Sequence, residues 1–406
     1  MNKYLILILS IMVMTCSKPQ NSTILEKMIN KLGNDFPDIV SHPKKHRLQV
    51  LYTQIDRDKN NKPTFTTHGF RVREKEYFYP ASTTKFPIAV LALEKANLNN
   101  KINPYMRLEV LTEKPELGGV VKDLSSESGY PSIAHYLRTL FIISDNSANN
   151  RLYEFLGRDH INQRIWDLGY PNTRIRHRLS IQLSDELNRY TNPFIFYDNG
   201  KKVYQQPSQL AKLDLNVNYN DYLIGRYHIA GKNKIEGPLD FSSKNFMSIE
   251  EQHAFLKQVM FPESVPKDKH LALSDEDYSL LYREMSILPR QSKYPKYKSS
   301  YYDGYCKFFM YGDNRDKIPE HIKIFNKVGE AYGFVLDNAY VIDTKNKVEF
   351  ILTAVVYHNN NEIMNDNNYE YESISIPFLA ELGRLVYSFE QNRTKKYLPV
   401  FDRFIK

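Results

Sequence analysis

Tyr79-Pro80-Ala81-Ser82-Thr83-Thr84-Lys85-Phe86-Pro87 is the stretch around which the chain is organised. Ser82 and Lys85 stand three apart, and an almost wholly apolar run follows: Phe86, Ile88, Ala89, Val90, Leu91, Ala92 and Leu93. Pro87 suits the first turn of a helix, where its missing N–H is not needed, so the pattern predicts a helix starting at Ser82–Thr83. Residues at i and i+3 share one helix face, which brings the Lys85 amine towards the Ser82 hydroxyl. Apolar residues all round mark a buried helix that holds this turn rigidly. The dipole at its N-terminus favours negative charge developing at Ser82. A serine needs such help, because its hydroxyl is a weak nucleophile until a neighbouring base takes the proton. By itself the pair is a weak signal: a Ser N-cap followed one turn later by a solvated Lys has the same spacing.

Two further motifs change the weight of the first. Helical spacing at 132–143 (Ile133, Tyr136, Leu137, Leu140, Phe141) ends in Ser144-Asp145-Asn146. A second helix is predicted at 148–156, stopping at Gly157. Near the other end, a strand predicted at 322–328 closes on Lys327-Val328-Gly329, and Tyr332-Gly333 opens the next, 333–342. Ser-x-x-Lys, Ser-Asp-Asn and Lys-Thr-Gly mark class A β-lactamases and penicillin-binding proteins. Over roughly residues 23–390 the chain resembles that family of serine hydrolases.

The resemblance implies a fold and a set of roles. The fold is α/β (α+β), of β-lactamase/transpeptidase type: an antiparallel sheet flanked by helices plus a mainly helical subdomain, here with an insertion. Ser82 would be the acylated nucleophile and Lys85 its base or proton relay. Ser144 would pass a proton towards the leaving nitrogen, and Asn146 would bind the substrate's side-chain amide. Lys327 would hold Ser144 and a substrate carboxylate electrostatically, on a substrate-binding strand that continues through Val328, Gly329 and Glu330. Backbone N–H groups of Ser82 and Glu330 would form the oxyanion hole, which gives the Glu330 side chain less weight. Two ammonium groups near one site also depress each other's pKa, helping Lys85 to be neutral when needed.

Two departures from the family pattern bear on function. Val328 stands where the family has a hydroxyl for the substrate carboxylate, and losing a hydrogen bond to a charged group costs roughly 1.5–3 kcal/mol. The family also carries a loop Glu that activates the deacylating water, with an Asn four residues on. Aligning Glu186-Leu187-Asn188 on the family's Glu-Leu-Asn puts Ser184 at the Glu position, whereas anchoring on Thr191-Asn192-Pro193 puts Arg176 there. Neither is a carboxylate, and Asp185 and Glu186 read as solvated loop acids. Acylation is therefore expected, with slow deacylation.

The remaining sequence sets the frame. The 406 residues are 42% hydrophobic, ample for one large domain or two. Lys+Arg 55 against Asp+Glu 47 gives +8, but the basic residues are scattered and no finger, RRM or helix–turn–helix pattern is present, so no nucleic-acid partner is expected. Lys3 and the apolar stretch from Tyr4 to Met14, followed by Thr15-Cys16, read as a lipoprotein-type signal peptide over 1–16 with lipidation at Cys16; an ordinary cleaved signal peptide is the rival reading. A membrane-anchored lipoprotein of the bacterial envelope, facing the periplasm, is the expected location. Residues 17–22 read as a tether, 23–95 with 315–395 as a split α/β subdomain, and 96–314 as the helical subdomain with an insertion at about 193–246.

Strands are predicted at 47–55, 64–72, 76–79 and 348–357, helices at 23–32, 161–168, 248–260, 275–285 and 375–389, and loop at 102–121 and 291–305. No cofactor or metal is expected, because His42 and His46, spaced i, i+4, are separated by Pro43, which argues against one helical face, and no third ligand is near. Cys306 reads as a buried or half-buried lone thiol. The substrate would be a small molecule or cell-wall-derived, and the protein a monomer. Beside the β-lactam hydrolase stand two alternatives: a penicillin-binding-protein-like peptidase or transpeptidase, and a non-catalytic envelope-binding protein on the same fold.

Overall fold

The computed structural model describes residues 22–405. The predicted signal segment, Cys16 and the tether up to residue 21 lie outside the described residues. Ser22 is the cap of the first helix, α1 (Thr23–Leu32): its hydroxyl accepts from the Ile24 N–H at 3.3 Å.

One five-stranded antiparallel sheet joins the two ends of the chain. β1 (Gln49–Arg57) and β2 (Pro63–Phe70) form the first hairpin; β3 (Ile322–Ala331), β4 (Phe334–Asp343) and β5 (Val348–Tyr357) form the last meander. The order is β3-β4-β5-β1-β2, with Tyr52 of β1 opposite Leu352 of β5. Such long-range pairing is fixed by pattern, because β5 is buried on both sides. Phe350 and Leu352 pack with α1 and the C-terminal helix (Ile376–Asn392), while Ile351 between them faces a second core on the opposite side. Each such buried side chain contributes about 1.5–3 kcal/mol.

The second core is mainly helical. At its centre runs α3 (Lys85–Leu98), apolar on every side and enclosed by α4 (Ile133–Ile142), α5 (Asn146–Leu156) and α6 (Arg158–Asp167). After the short α7 (Asp185–Arg189), helix α8 (Ile249–Met260) lies on the sheet and α9 (Asp275–Ser286) against β3. His253 of α8 ties to the sheet through Thr53 and Thr353, at 2.7 Å each. Among the described residues no helix is long and apolar enough to cross a membrane.

Three local expectations are corrected. Residues 76–79 form no strand, only a bridge from Glu76 to Asn220; their aromatic rings are buried with Tyr219, Phe241 and Phe246 instead. Arg107–Val110, expected in a loop, is a strand paired with Phe194–Asp198. That partner turns back through Asn199-Gly200, both at positive φ (46° and 78°), into Lys201–Gln206, as a two-residue hairpin requires. Finally, His46 does acquire partners. Asp38 of α2 (Pro37–Ser41) lies 2.9 Å from it, and the ring of His358, just past β5, stacks on it with centroids 5.0 Å apart.

Candidate active site

Ser82 sits in a 3-10 turn, Ala81–Thr84, and the α-helix proper begins at Lys85. The expected start at Ser82 is thus a tighter turn, in which residues three apart eclipse one another. The turn is tied locally: the Thr83 hydroxyl donates to the Pro80 carbonyl at 2.6 Å, and the Thr84 hydroxyl to Ala81 at 2.9 Å. Ala81 is held at φ 47°, a left-handed conformation costly for a residue with a Cβ and often kept at functional sites. Lys85 is fully buried directly beneath.

Ser144 lies between α4 and α5, also left-handed at φ 58°. Asp145 caps α5 by accepting from the Ala148 N–H at 2.7 Å. The Lys85 ammonium donates to the Ser144 carbonyl and, at 3.1 Å, to its hydroxyl oxygen. Lys327 donates to the same hydroxyl oxygen at 2.8 Å and to the Val328 carbonyl at 3.0 Å. Among the described residues neither lysine has a carboxylate within ion-pair reach. Burial, and secondly Lys327, hold the Lys85 pKa well below the ordinary lysine value, while burial brings Lys327 down to about 8.

Lys327 does not end its strand; β3 runs on to Ala331, so the whole triplet lies within the edge strand. Gly329 allows that strand to meet the Ser82 turn. A Cβ there would stand 2.7 Å from the Pro80 carbonyl oxygen and 3.2 Å from the Ser82 nitrogen. Ser82, Ser144, Asn146, Val328, Gly329 and Glu330 all line one cavity of about 830 Å³, with Lys85 and Lys327 buried below it. The structure thus brings all eight expected residues to one place.

Several residues of the site were missed by sequence reasoning. The Glu330 carboxylate, given little weight beside its backbone, lines the cavity. It reaches solvent but is crowded by the cavity wall, and this crowding, with Glu372 second, raises its pKa to about 7. Tyr302, Tyr305, Tyr371 and the buried Cys306 are also part of the wall. Beneath β3, Lys307 donates to Asn326 at 2.6 Å, and Asn326 donates to Asp337 at 2.8 Å, a buried network that fixes the strand from behind. No sequence motif links these three residues.

The loop that should carry the deacylating acid is docked on α5, with Asn150 holding Leu179 through both its backbone groups at 2.9 Å. Its Ser180 hydroxyl accepts from Asn146 Nδ2 at 2.9 Å, though Ser180 itself does not line the cavity. Ser184 caps α7 instead, accepting from the Leu187 N–H at 3.2 Å. Asp185 pairs with Arg158 at 2.7 Å on the outside, and neither it nor Glu186 lines the cavity.

Comparison with known proteins bears on the family and the fold. The sequence model of the beta-lactamase enzyme family matches residues 11–224, more than half of the chain. No curated protein matches the sequence. Among solved structures, the fold is similar to a beta-lactamase from Burkholderia phymatum, with TM-score 0.50 and 12% identity over 90% of this chain and 100% of that one. It is similar also to a class A beta-lactamase from Clostridium kluyveri DSM 555, with TM-score 0.50 and 14% identity over 90% of this chain and 98% of that one. With its antiparallel sheet, its helical half and the sequence match together, the chain belongs to the beta-lactamase enzyme family.

Proposed function

We propose that the protein is an envelope serine hydrolase that forms an acyl-enzyme on Ser82 with β-lactams or peptide-like amides and esters, and releases the acyl group slowly. The observation that carries this reading is the Ser144 hydroxyl bonded to two buried, unpaired lysines on the wall of the cavity that Ser82 lines. Lys85, whose charged form burial disfavours, takes the Ser82 proton as Oγ bonds to the acyl carbon. Backbone N–H groups of Ser82 and Glu330 receive the developing oxyanion, each such donor being worth about 2.7–4 kcal/mol. Ser144 then gives its proton to the leaving nitrogen and regains one from a lysine, and the C–N bond breaks. Asn146 holds the substrate's amide.

Hydrolysis of the ester needs a second base for water, and the loop side chain bonded to Asn146 is the Ser180 hydroxyl, not an acid. General-base help is worth about 10²–10⁴ in rate, so its loss leaves the acyl-enzyme to accumulate. The same feature favours a second reading, a penicillin-binding-protein-like peptidase or transpeptidase; in the transpeptidase a bound amine rather than water accepts the acyl group. In both readings the protein acts as a monomer on a cell-wall-derived or small-molecule substrate, anchored by lipid on Cys16. Labelling with a fluorescent penicillin and a fluorophosphonate tests both: the parent is labelled and Ser82→Ala is not. An unlabelled parent would leave only the non-catalytic binding protein. Cell fractionation of Cys16→Ala tests the anchor, which is wrong if the variant stays with the membrane.

A further inference from the structure

On a part of the sheet that takes no share in the acyl chemistry, the fold gathers residues distant in sequence, and we propose that Asp38, His46 and His358 form a binding site for one divalent metal ion of the zinc class. One oxygen or nitrogen from each lies within 4.8 Å of the others. Zinc bonds of about 2.0–2.1 Å hold tetrahedral ligand atoms roughly 3.4 Å apart, so the widest pair has to close by at most ~1–1.5 Å, while Asp38 Oδ2 and His46 Nε2, 2.9 Å apart, open slightly.

The hydrogen bonds fix which ring nitrogens have lone pairs to give. His46 Nδ1 lies 2.9 Å from the Tyr357 carbonyl oxygen, which only accepts, so Nδ1 carries the proton. Its Nε2 lies 2.9 Å from Asp38 Oδ2, again an acceptor. A neutral imidazole has no second proton to put there. The ring is 2% exposed, and a cation between Nε2 and the carboxylate oxygen would satisfy the lone pairs of both. A ligand histidine whose other nitrogen donates to a backbone carbonyl is the usual outer support of a metal site.

His358 is the independent observation. It is 4% exposed, and its Nε2 lies 3.1 Å from the Asn360 side-chain oxygen, which places the proton on that nitrogen. Its Nδ1 is left with a lone pair, buried and without any hydrogen-bond partner. The ring stacks on His46, interplanar angle 13°. A buried, unpartnered nitrogen is costly, and a metal ion would satisfy it.

The carboxylate is held from outside. His42 Nδ1 lies 2.9 Å from Asp38 Oδ1, and Lys45 donates to Oδ2 at 2.9 Å. The Lys45 side chain is 62% exposed, so it can turn to water as the ion takes its place. Two imidazoles, one carboxylate and an open fourth position for water make a donor set that suits zinc better than magnesium or calcium. The ion would clip the segment before β1 to the end of β5, where the His358 N–H donates to the Gly333 carbonyl at 2.9 Å. Its role would be to fasten the sheet, since closing so long a loop restricts the unfolded chain.

The test uses the full chain, stripped with EDTA and titrated with zinc chloride in competition with a chromophoric chelator, and with cobalt chloride followed by visible absorption. One zinc per chain is expected, with tetrahedral cobalt bands and a melting temperature that rises with zinc and returns with EDTA. Asp38→Asn, at a half-exposed side chain that puts folding at little risk, and His358→Gln should each bind at least about 100-fold more weakly. His42→Gln should lose no more than the about 10–100-fold typical of an outer partner. Melting of the metal-free variants, matched to the metal-free parent, separates lost binding from lost folding. A parent with no saturable zinc, or variants that bind as the parent does, would overturn the site.

Discussion

Lys327 and Lys85 donate to the same atom, the Ser144 hydroxyl oxygen, at 2.8 Å and 3.1 Å. One hydroxyl therefore joins the edge strand of the sheet to the turn between two helices, at the point where Gly329 brings that strand against Ser82. A hydroxyl with two acceptor lone pairs can serve both amines and still donate its own proton onward. That is the property required of a relay to a leaving group.

The buried charge at Lys327 should be visible in stability. Its pKa is about 8 in the folded protein and near 10.5 when free, so between those values the unfolded chain binds more protons and stability rises with pH. At about 1.4 kcal/mol per pH unit the window amounts to about 3 kcal/mol. Urea denaturation from pH 8 to 10.5 should show the parent gaining roughly that much more than Lys327→Met. Parallel curves would mean that the ammonium is not desolvated as described.

Gly329→Ala should separate the two halves of the site. Its Cβ would meet backbone atoms of the Ser82 turn, which cannot rotate away, and overpacking of this kind costs about 1–3 kcal/mol. The denaturation midpoint should fall accordingly, and acylation should slow by more than about tenfold, since a misplacement of an ångström can cost 10²-fold. An unchanged acylation rate would show that the strand need not touch the turn.

Glu330 should select against anionic substrates in a pH-dependent way. Its carboxyl, with a pKa of about 7, is neutral below that pH and anionic above it. The ratio of acylation rates with benzylpenicillin, Glu330→Gln over parent, should stay near one at pH 5.5 and rise to about tenfold at pH 8.5, the worth of ~1.4 kcal/mol of repulsion. Val328→Thr, which supplies a hydroxyl for the carboxylate, should add about 10–100-fold at every pH. A ratio flat with pH would remove Glu330 from the substrate's path.

Ser180→Asp should introduce the base that the loop lacks. Position 180 is left-handed at φ 53°, which Asp tolerates better than Glu, and it already faces Asn146. Breakdown of the acyl-enzyme should accelerate at least about tenfold, within the 10²–10⁴ that general-base help can supply. If deacylation does not change, slow turnover has another cause.

What could be read from the sequence was local or periodic. The apolar run after Ser82 announced a buried helix, and α1 and β5 stand where their spacing put them, because each is encoded by contiguous residues. Residues 76–79 misled for a physical reason: Tyr77, Phe78 and Tyr79 favour strands only as far as they favour burial, and here an aromatic cluster buries them without a ladder. Ser180, Glu330, Lys307 and His358 matter through partners far away in sequence or through where a side chain points. In the insertion, Asn199-Gly200 forms the hairpin that such a pair favours.

The central claim is that Ser82 is acylated and the adduct persists. Intact-protein mass spectrometry during incubation with benzylpenicillin, and separately with a simple ester, tests it most directly, with Ser82→Ala alongside. The parent should gain the mass of one acyl group and hold it through many times its formation time, and Ser82→Ala should gain nothing. Rapid multiple turnover with no trapped adduct would contradict slow deacylation, and no adduct with either substrate would contradict the hydrolase itself.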